Sequence, residues 1–353
     1  MLLFFVYVCL GLLFFLLFLK GLCTWLLERS KTSFIFPSHP KGIEFPGKYP
    51  AVGDTVVHSF GESEEFTGNT LRVVSLNMER GKQFDRVLEQ LQKLNADIIL
   101  LQEVEYFSQR TGRRDQAGEL AKALKMNSVF ACKTILEEYI ENIPDDLKHE
   151  CMGADGNALL SKYPFKMTQA IQAKCFQALN PGHRAFTKHM KAFGIIKLNK
   201  TTEIACCSVH LDPHYTGRKG RINQFNDLVS KLEKYSSIPM IVAGDFNTVC
   251  TGIGRFNIPK LSLTFKDAIE NLGKSEALQF QEEAVNLSSI SFKDPFDKQK
   301  DTTFTGMSGL YSGKLDWCLL HDLHPIQWKV GNRPQDLCSD HMWICVDINI
   351  DNN

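Results

Sequence analysis

Near its C-terminal end the chain reads Ser339-Asp340-His341, and well upstream it reads Gly244-Asp245-Phe246-Asn247. Each string follows an apolar run or leads into one. Asp, Asn and His therefore stand at the ends of buried strands, on loops that a rigid scaffold can aim. These residue types supply what metal-assisted cleavage of a phosphate ester needs. Carboxylates hold a hard cation, an amide orients, and a His–Asp pair moves protons. Four more segments share the design: Ser75-Leu76-Asn77-Met78-Glu79, Leu101-Gln102-Glu103-Val104, Ser208-Val209-His210-Leu211 and Leu315-Asp316-Trp317. Any one of them reads equally well as a turn or cap; the set in this order is far more specific.

The elements that must position these residues follow from periodicity. Leu71 to Asn77 reads as a strand. Phe84, Val87, Leu88, Leu91 and Leu94 repeat at helical spacing, and Asp97 to Glu103 is a buried strand ending on a carboxylate. That order makes a first α/β unit. Ala117 to Leu124 predicts a helix, and Asn157 to Ser161 a short strand closed by Tyr163-Pro164. Ala192 to Leu198 and Glu203 to His210 read as paired strands. Arg221 to Tyr235 has a helical pattern, Pro239 to Gly244 delivers Asp245, and Lys314 to Leu320 and Met342 to Ile350 are the last strands.

From about Leu71 to Ile350 the sequence resembles the endonuclease/exonuclease/phosphatase superfamily, with its deoxyribonuclease I-like fold. Leu-Gln-Glu, Gly-Asp-Phe-Asn and Ser-Asp-His carry the resemblance, with the run from Gly156 to Pro164 as the family's central strand motif. The resemblance implies an α/β four-layer sandwich, two packed mixed β-sheets flanked by helices. It implies that Glu103 is the main ligand of Mg²⁺ (or Mn²⁺), with Asn77 and Asp340 as further metal-side residues. It makes Asp245 the group that orients or deprotonates the attacking water, His341 the proton-transfer histidine, and Asp316 the residue that fixes its tautomer. Asn247 would hold that carboxylate or the phosphate, His210 would donate to a non-bridging phosphate oxygen, and Asn157 would line the phosphate pocket. An inositol 5-phosphatase pattern does not fit, because Val242-Ala243 stands where that pattern has a Trp before Gly-Asp.

Composition narrows the substrate. The 353 residues carry 40 basic and 40 acidic side chains, which argues against the basic stripe a duplex-binding protein needs. Met1 to Leu19 carries no charge, and at 1.5 Å per residue it is long enough to cross a bilayer. No basic n-region precedes it, which favours a retained transmembrane helix over a signal peptide. Lys20, Arg29 and Lys31 on its C-terminal side place the bulk of a single-pass chain in the cytosol. Eleven cysteines without a CxxC pair read as buried apolar residues in a reducing compartment. The expected organisation is an anchor over 1–27, an irregular Pro- and Gly-rich lead-in over 28–70, and a catalytic domain over 71–350. The expected activity is a phosphodiesterase acting on a membrane-associated phosphate ester, sphingomyelinase-like in its most concrete form. A nuclease, favoured if the apolar run is cleaved and the protein secreted or lumenal, and a catalytically silent binding module are the alternatives.

Overall fold

Two face-to-face sheets organise the chain. The computed structural model describes residues 43–44, 46–62, 65–135, 153–174, 189–212, 217–248, 275–298, 300–306, 311–331 and 333–350. Its strands are β1 Thr55–Ser59, β2 Thr70–Asn77, β3 Ile98–Tyr106, β4 Asn127–Ile135, β5 Ala154–Ser161, β6 Phe165–Gln172 and β7 Met190–Lys197. The remainder are β8 Glu203–His210, β9 Met240–Asp245, β10 Phe304–Gly306, β11 Tyr311–Gly313, β12 Asp316–His321, β13 His324–Val330 and β14 Ile344–Asn349. One sheet has the order β1-β4-β5-β3-β2-β14-β13, the other β12-β9-β8-β7-β6, and β10 and β11 make a separate hairpin. Each sheet holds one parallel pair, β2 with β3 and β8 with β9, among antiparallel neighbours.

Three apolar cores define the layers. Leu71, Val73, Leu100, Leu159, Ile241 and Val346 pack between the sheets. Val87, Leu91, Leu120 and Leu160 fill the space outside the first sheet, under the helices Phe84–Leu94 and Gln116–Leu124. Phe225, Leu228, Phe246, Phe280 and Trp317 do the same outside the second, under Gly217–Leu232 and Glu276–Phe280. Helix Phe84–Leu94 forms because its apolar stripe has somewhere to go. Burying Val87 and Leu91 contributes about 1.5–3 kcal/mol each, and Asn95 ends the helix in the left-handed region that Asn tolerates.

The stretch read as an irregular lead-in contributes a strand. β1 pairs with β4 along its length. His58 Nε2 lies 2.6 Å from Asp115 Oδ2, while Asp115 Oδ1 accepts the Gly118 N–H and caps the next helix. The Pro and Gly around this segment mask a short edge strand whose partner lies far along the chain. The predicted anchor over 1–27 lies outside the described residues; among those described, no helix is long and apolar enough to cross a membrane.

Candidate active site

The cluster forms where the two sheets present their strand ends to each other. On the second sheet, His210 and Asp316 are the register partners of Asp245 on either side of β9. Gly244 makes this approach possible. Its φ is +146°, and a Cβ there would sit 1.9 Å from the Val209 carbonyl oxygen and 2.9 Å from Gln102 Nε2. On the first sheet, Asn77 ends β2 beside Gln102. The β3–β5 register shifts between Leu101 and Val104, and Glu103 adopts φ +51°. A bulge of this kind re-aims a side chain at a cost of about 1–3 kcal/mol in backbone strain.

Asn77 joins the sheets. Its Nδ2 donates to Asp245 Oδ2 at 3.1 Å and to Glu103 Oε1 at 3.3 Å, while its Oδ1 accepts the Glu79 N–H at 3.0 Å. As placed, Asn77 therefore turns its nitrogen, not the oxygen expected of a metal ligand, toward the carboxylates. Gln102 is a second brace, donating to Ser208 Oγ at 3.0 Å, and Ser208 in turn donates to the Leu101 carbonyl.

His341 enters from the segment ahead of β14. Its Nδ1 lies 2.9 Å from Asp316 Oδ2, and its Nε2 lies 3.6 Å from Asp245 Oδ2. His210 Nε2 meets the same Asp245 oxygen at 3.6 Å. Asp245 Oδ1 accepts the Asn247 N–H at 2.7 Å. The Asn247 side chain holds the Leu211 carbonyl at 3.0 Å, and its φ is +51°. Asp316 is fixed from behind: Thr303 Oγ1 accepts its N–H, and buried Lys314 donates to its carbonyl at 2.8 Å. Asp340 follows Ser339, whose hydroxyl lies 3.2 Å from Asp340 Oδ1. Asn157 stands apart from these bonds. It donates to the Met190 carbonyl at 2.6 Å, and its buried Oδ1 has no hydrogen-bond partner among the described residues.

Burial and neighbouring charge set the protonation states. Desolvation and the Asp316 charge push the Asp245 carboxyl up to about 7, against the pull of His341. Burial would lower the His341 pKa, but Asp316 and Asp245 outweigh it and hold the ring well above its ordinary value. His210 is driven the other way by burial and by Lys133, Lys191 and His341, and is a neutral imidazole. Glu103 is held below its usual range because Arg80, Lys133 and His341 overcome its burial. Asp340 is raised by burial and by the charges of Glu79 and Glu103.

Two lysines add positive charge beside the site; the sequence places Lys191 in a basic cluster that reads as a solvated face or an anion-gathering rim, and does not mark Lys133. Lys133 pairs with Asp155 at 2.6 Å, and Lys191 donates to the His210 carbonyl. Both lie within strands, where their partners come from neighbouring chain segments. Asp245, Asp316 and His341 each offer one ligand atom within 4.8 Å of the others, and so can hold a metal ion. The hydrogen bond between His341 and Asp316 already occupies one ring nitrogen. Glu103, Asp340 and Glu79 offer instead a set of oxygens whose mutual repulsion a cation would relieve, the donor chemistry that suits a hard ion.

A profile of the Endonuclease/Exonuclease/phosphatase family matches residues 74–341. Among solved structures, an endonuclease/exonuclease/phosphatase from Beutenbergia cavernae superposes at a TM-score of 0.56 with 14% identity, covering 80% of this chain and 72% of that one. The human Nocturnin catalytic domain with a bound sulfate anion gives a TM-score of 0.54 at 17% identity, covering 84% of this chain and 97% of that one. A humanized D. rerio TDP2 gives 0.51 at 14% identity, with 80% and 100% covered. At such identities the likeness is one of fold. No curated protein matches the chain.

Proposed function

The chain belongs to the endonuclease/exonuclease/phosphatase family, and from that membership and the site's geometry we propose that it is a Mg²⁺- (or Mn²⁺-) dependent phosphodiesterase acting on a membrane-associated phosphate ester. One observation carries the chemistry. Asp245, titrating near 7, sits between a protonated His341 and the metal-side carboxylate Glu103. A general base is most useful when its pKa lies near the working pH.

Glu103 and Asp340 would hold the cation, and Asn77 would tie Glu103 to Asp245. The ion, when bound, supplies Lewis-acid polarisation of a phosphate oxygen. Asp245 takes the proton of the attacking water, its Oδ1 held in aim by the Asn247 N–H. His341 gives a proton from Nε2 as charge builds, and Asp316 keeps Nδ1 protonated and the ring oriented. Neutral His210 donates a hydrogen bond toward a non-bridging oxygen. Asn157, on β5, would shape the phosphate pocket through its bond to the Met190 carbonyl.

The membrane half of the reading rests on the uncharged run Met1 to Leu19, the basic residues after it and the balanced charge. Among the described residues Cys206, Cys207, Cys318, Cys338 and Cys345 are free thiols, which suits a cytosolic domain. A catalytic domain tethered at a bilayer meets headgroups at high effective concentration. Full-length protein assayed on a soluble activated phosphodiester, with and without chelator, tests the chemistry. Turnover should vanish in chelator and return with Mg²⁺ or Mn²⁺; full turnover in excess chelator refutes it. A panel of sphingomyelin, phosphoinositides and DNA then tests the substrate, and a preference for DNA would transfer the protein to the nuclease reading.

A further inference from the structure

A second feature lies at the far end of the first sheet. Asn77 closes β2 at the catalytic cluster, and Arg72, five residues earlier, is about 17 Å away along the strand. There a cavity of about 190 Å³ opens, lined by Arg72, Lys93, Trp328, Lys329, Trp343 and Asp347 among others. It is smaller than the roughly 300 Å³ at which cofactor-sized pockets begin, and suits a single small headgroup. Three cations face one carboxylate. Asp347 is committed to Arg72, at 2.7 and 2.8 Å. Lys93 makes an exposed pair with Glu89, and Lys329 Nζ stands 5.4 Å over the Trp343 ring. Trp343 is buried, and its Nε1 has no hydrogen-bond partner among the described residues.

The strand β13, which borders the cavity through Gln327, Trp328 and Lys329, is unusual for an edge strand. β13 is the outermost strand of its sheet, yet Ile326 is 56% and Trp328 46% exposed. Its edge is closed to strand addition: Pro325 lacks a donor, the register shifts between Pro325 and Gln327, and Lys329 adds charge. A surface that is apolar but cannot extend a sheet fits a partner that offers no backbone. Trp beside Lys is the pairing that lies at the headgroup level of a bilayer.

We propose that this edge docks on the bilayer, with the phosphate of an anionic phospholipid headgroup in the Arg72–Lys93–Lys329 cavity and Trp328 and Ile326 at the glycerol level. The proposal rests on the membrane-anchored reading above, and its test separates the two. Full-length protein is reconstituted in phosphatidylcholine nanodiscs, with or without phosphatidylserine, using lipids brominated near the glycerol. Tryptophan fluorescence should be quenched more strongly when phosphatidylserine is present. Trp328→Phe should remove that increment, and Lys93→Gln with Lys329→Gln should abolish its dependence on the anionic lipid. Hydrolysis of a soluble diester should be unchanged in all three proteins. Equal quenching in wild type and Trp328→Phe overturns the proposal. So does loss of the increment when inorganic phosphate is added at the lipid's concentration, which would assign the cavity to a free anion. Alkaline carbonate extraction of the wild type reports on the anchor alone: release from the bilayer together with retained phosphatidylserine-dependent quenching would sink the anchor and keep the docking edge.

Discussion

Asp316→Asn is the most informative single change, because Asp316 acts on both titrating partners at once. It accepts a hydrogen bond from His341 Nδ1 at 2.9 Å, is wholly buried, and its charge raises the pKa of both His341 and Asp245. A buried hydrogen bond to a charged group is worth about 1.5–3 kcal/mol. Its loss therefore lowers the His341 pKa. The Asp245 pKa falls as well, since a neighbouring negative charge disappears. If Asp245 acts as base and His341 as acid, both limbs of the rate profile move toward acid, and the whole bell slides instead of narrowing. The maximal rate should fall about 10- to 100-fold, because Asn can still hold the ring but no longer fixes its proton. The same change has a stability signature. A histidine whose folded pKa is raised stabilises the fold fully below its ordinary value of 6.5, and that contribution is lost as pH rises through the folded value. Wild-type urea midpoints should therefore decline above about pH 6.5 more steeply than those of Asp316→Asn. Rates measured on a soluble diester across pH, with the two tautomer-sensitive ring nitrogens followed by ¹⁵N NMR, check both parts. A variant whose bell stays in place refutes the assignment of His341 and Asp245 as the acid–base pair.

Glu103→Gln removes the charge of the proposed metal ligand without changing shape, and should raise the Mg²⁺ concentration for half-maximal activity more than about tenfold; if His341→Ala weakens metal binding more than Glu103→Gln does, the ion belongs to the Asp245–Asp316–His341 group instead. Gly244→Ala places a Cβ 1.9 Å from the Val209 oxygen at a φ of +146°, so stability should drop by more than about 3 kcal/mol in urea unfolding with an unchanged slope; an unshifted midpoint would mean that β9 has room the structure denies it. Carbonate extraction should leave the full chain in the membrane, and the sequons at Asn199 and Asn286 should stay unglycosylated; glycans on either, or a mature N-terminus near residue 24, would reverse the topology.

What the sequence disclosed depends on how local each determinant is. β2, β3, β8 and β9 are legible because they are buried on both faces and read as unbroken apolar runs ending on a polar residue. The edge strands β1, β6 and β13 are not, since half-exposed positions carry Lys, His, Pro and Gln among their apolar residues. Lys133 and Lys191 look like solvent-facing strand residues until the next strand along the chain brings Asp155 and the His210 carbonyl beside them. Likewise the sequence offers Asn77 as an amide near a carboxylate, but not which of its atoms faces inward. The Glu79 N–H decides that by taking the oxygen.

The same distinction explains why the cluster is so sensitive to the joining of the sheets. His210, Asp245 and Asp316 are neighbours by strand register within one sheet, so they come together as soon as β8, β9 and β12 pair. Asn77 and Glu103 belong to the other sheet, and His341 to the turn ahead of its β14. Closure takes Asp245 and its ionisable neighbours out of water, and the cost falls on that carboxylate, whose pKa rises to about 7. Asn77, bonded to both Asp245 and Glu103, is the contact through which the two half-sites meet. A carboxyl poised at neutral pH is thus a property of the assembled sandwich, and a change that loosens the inter-sheet core should return Asp245 toward an ordinary acid before it unfolds the protein.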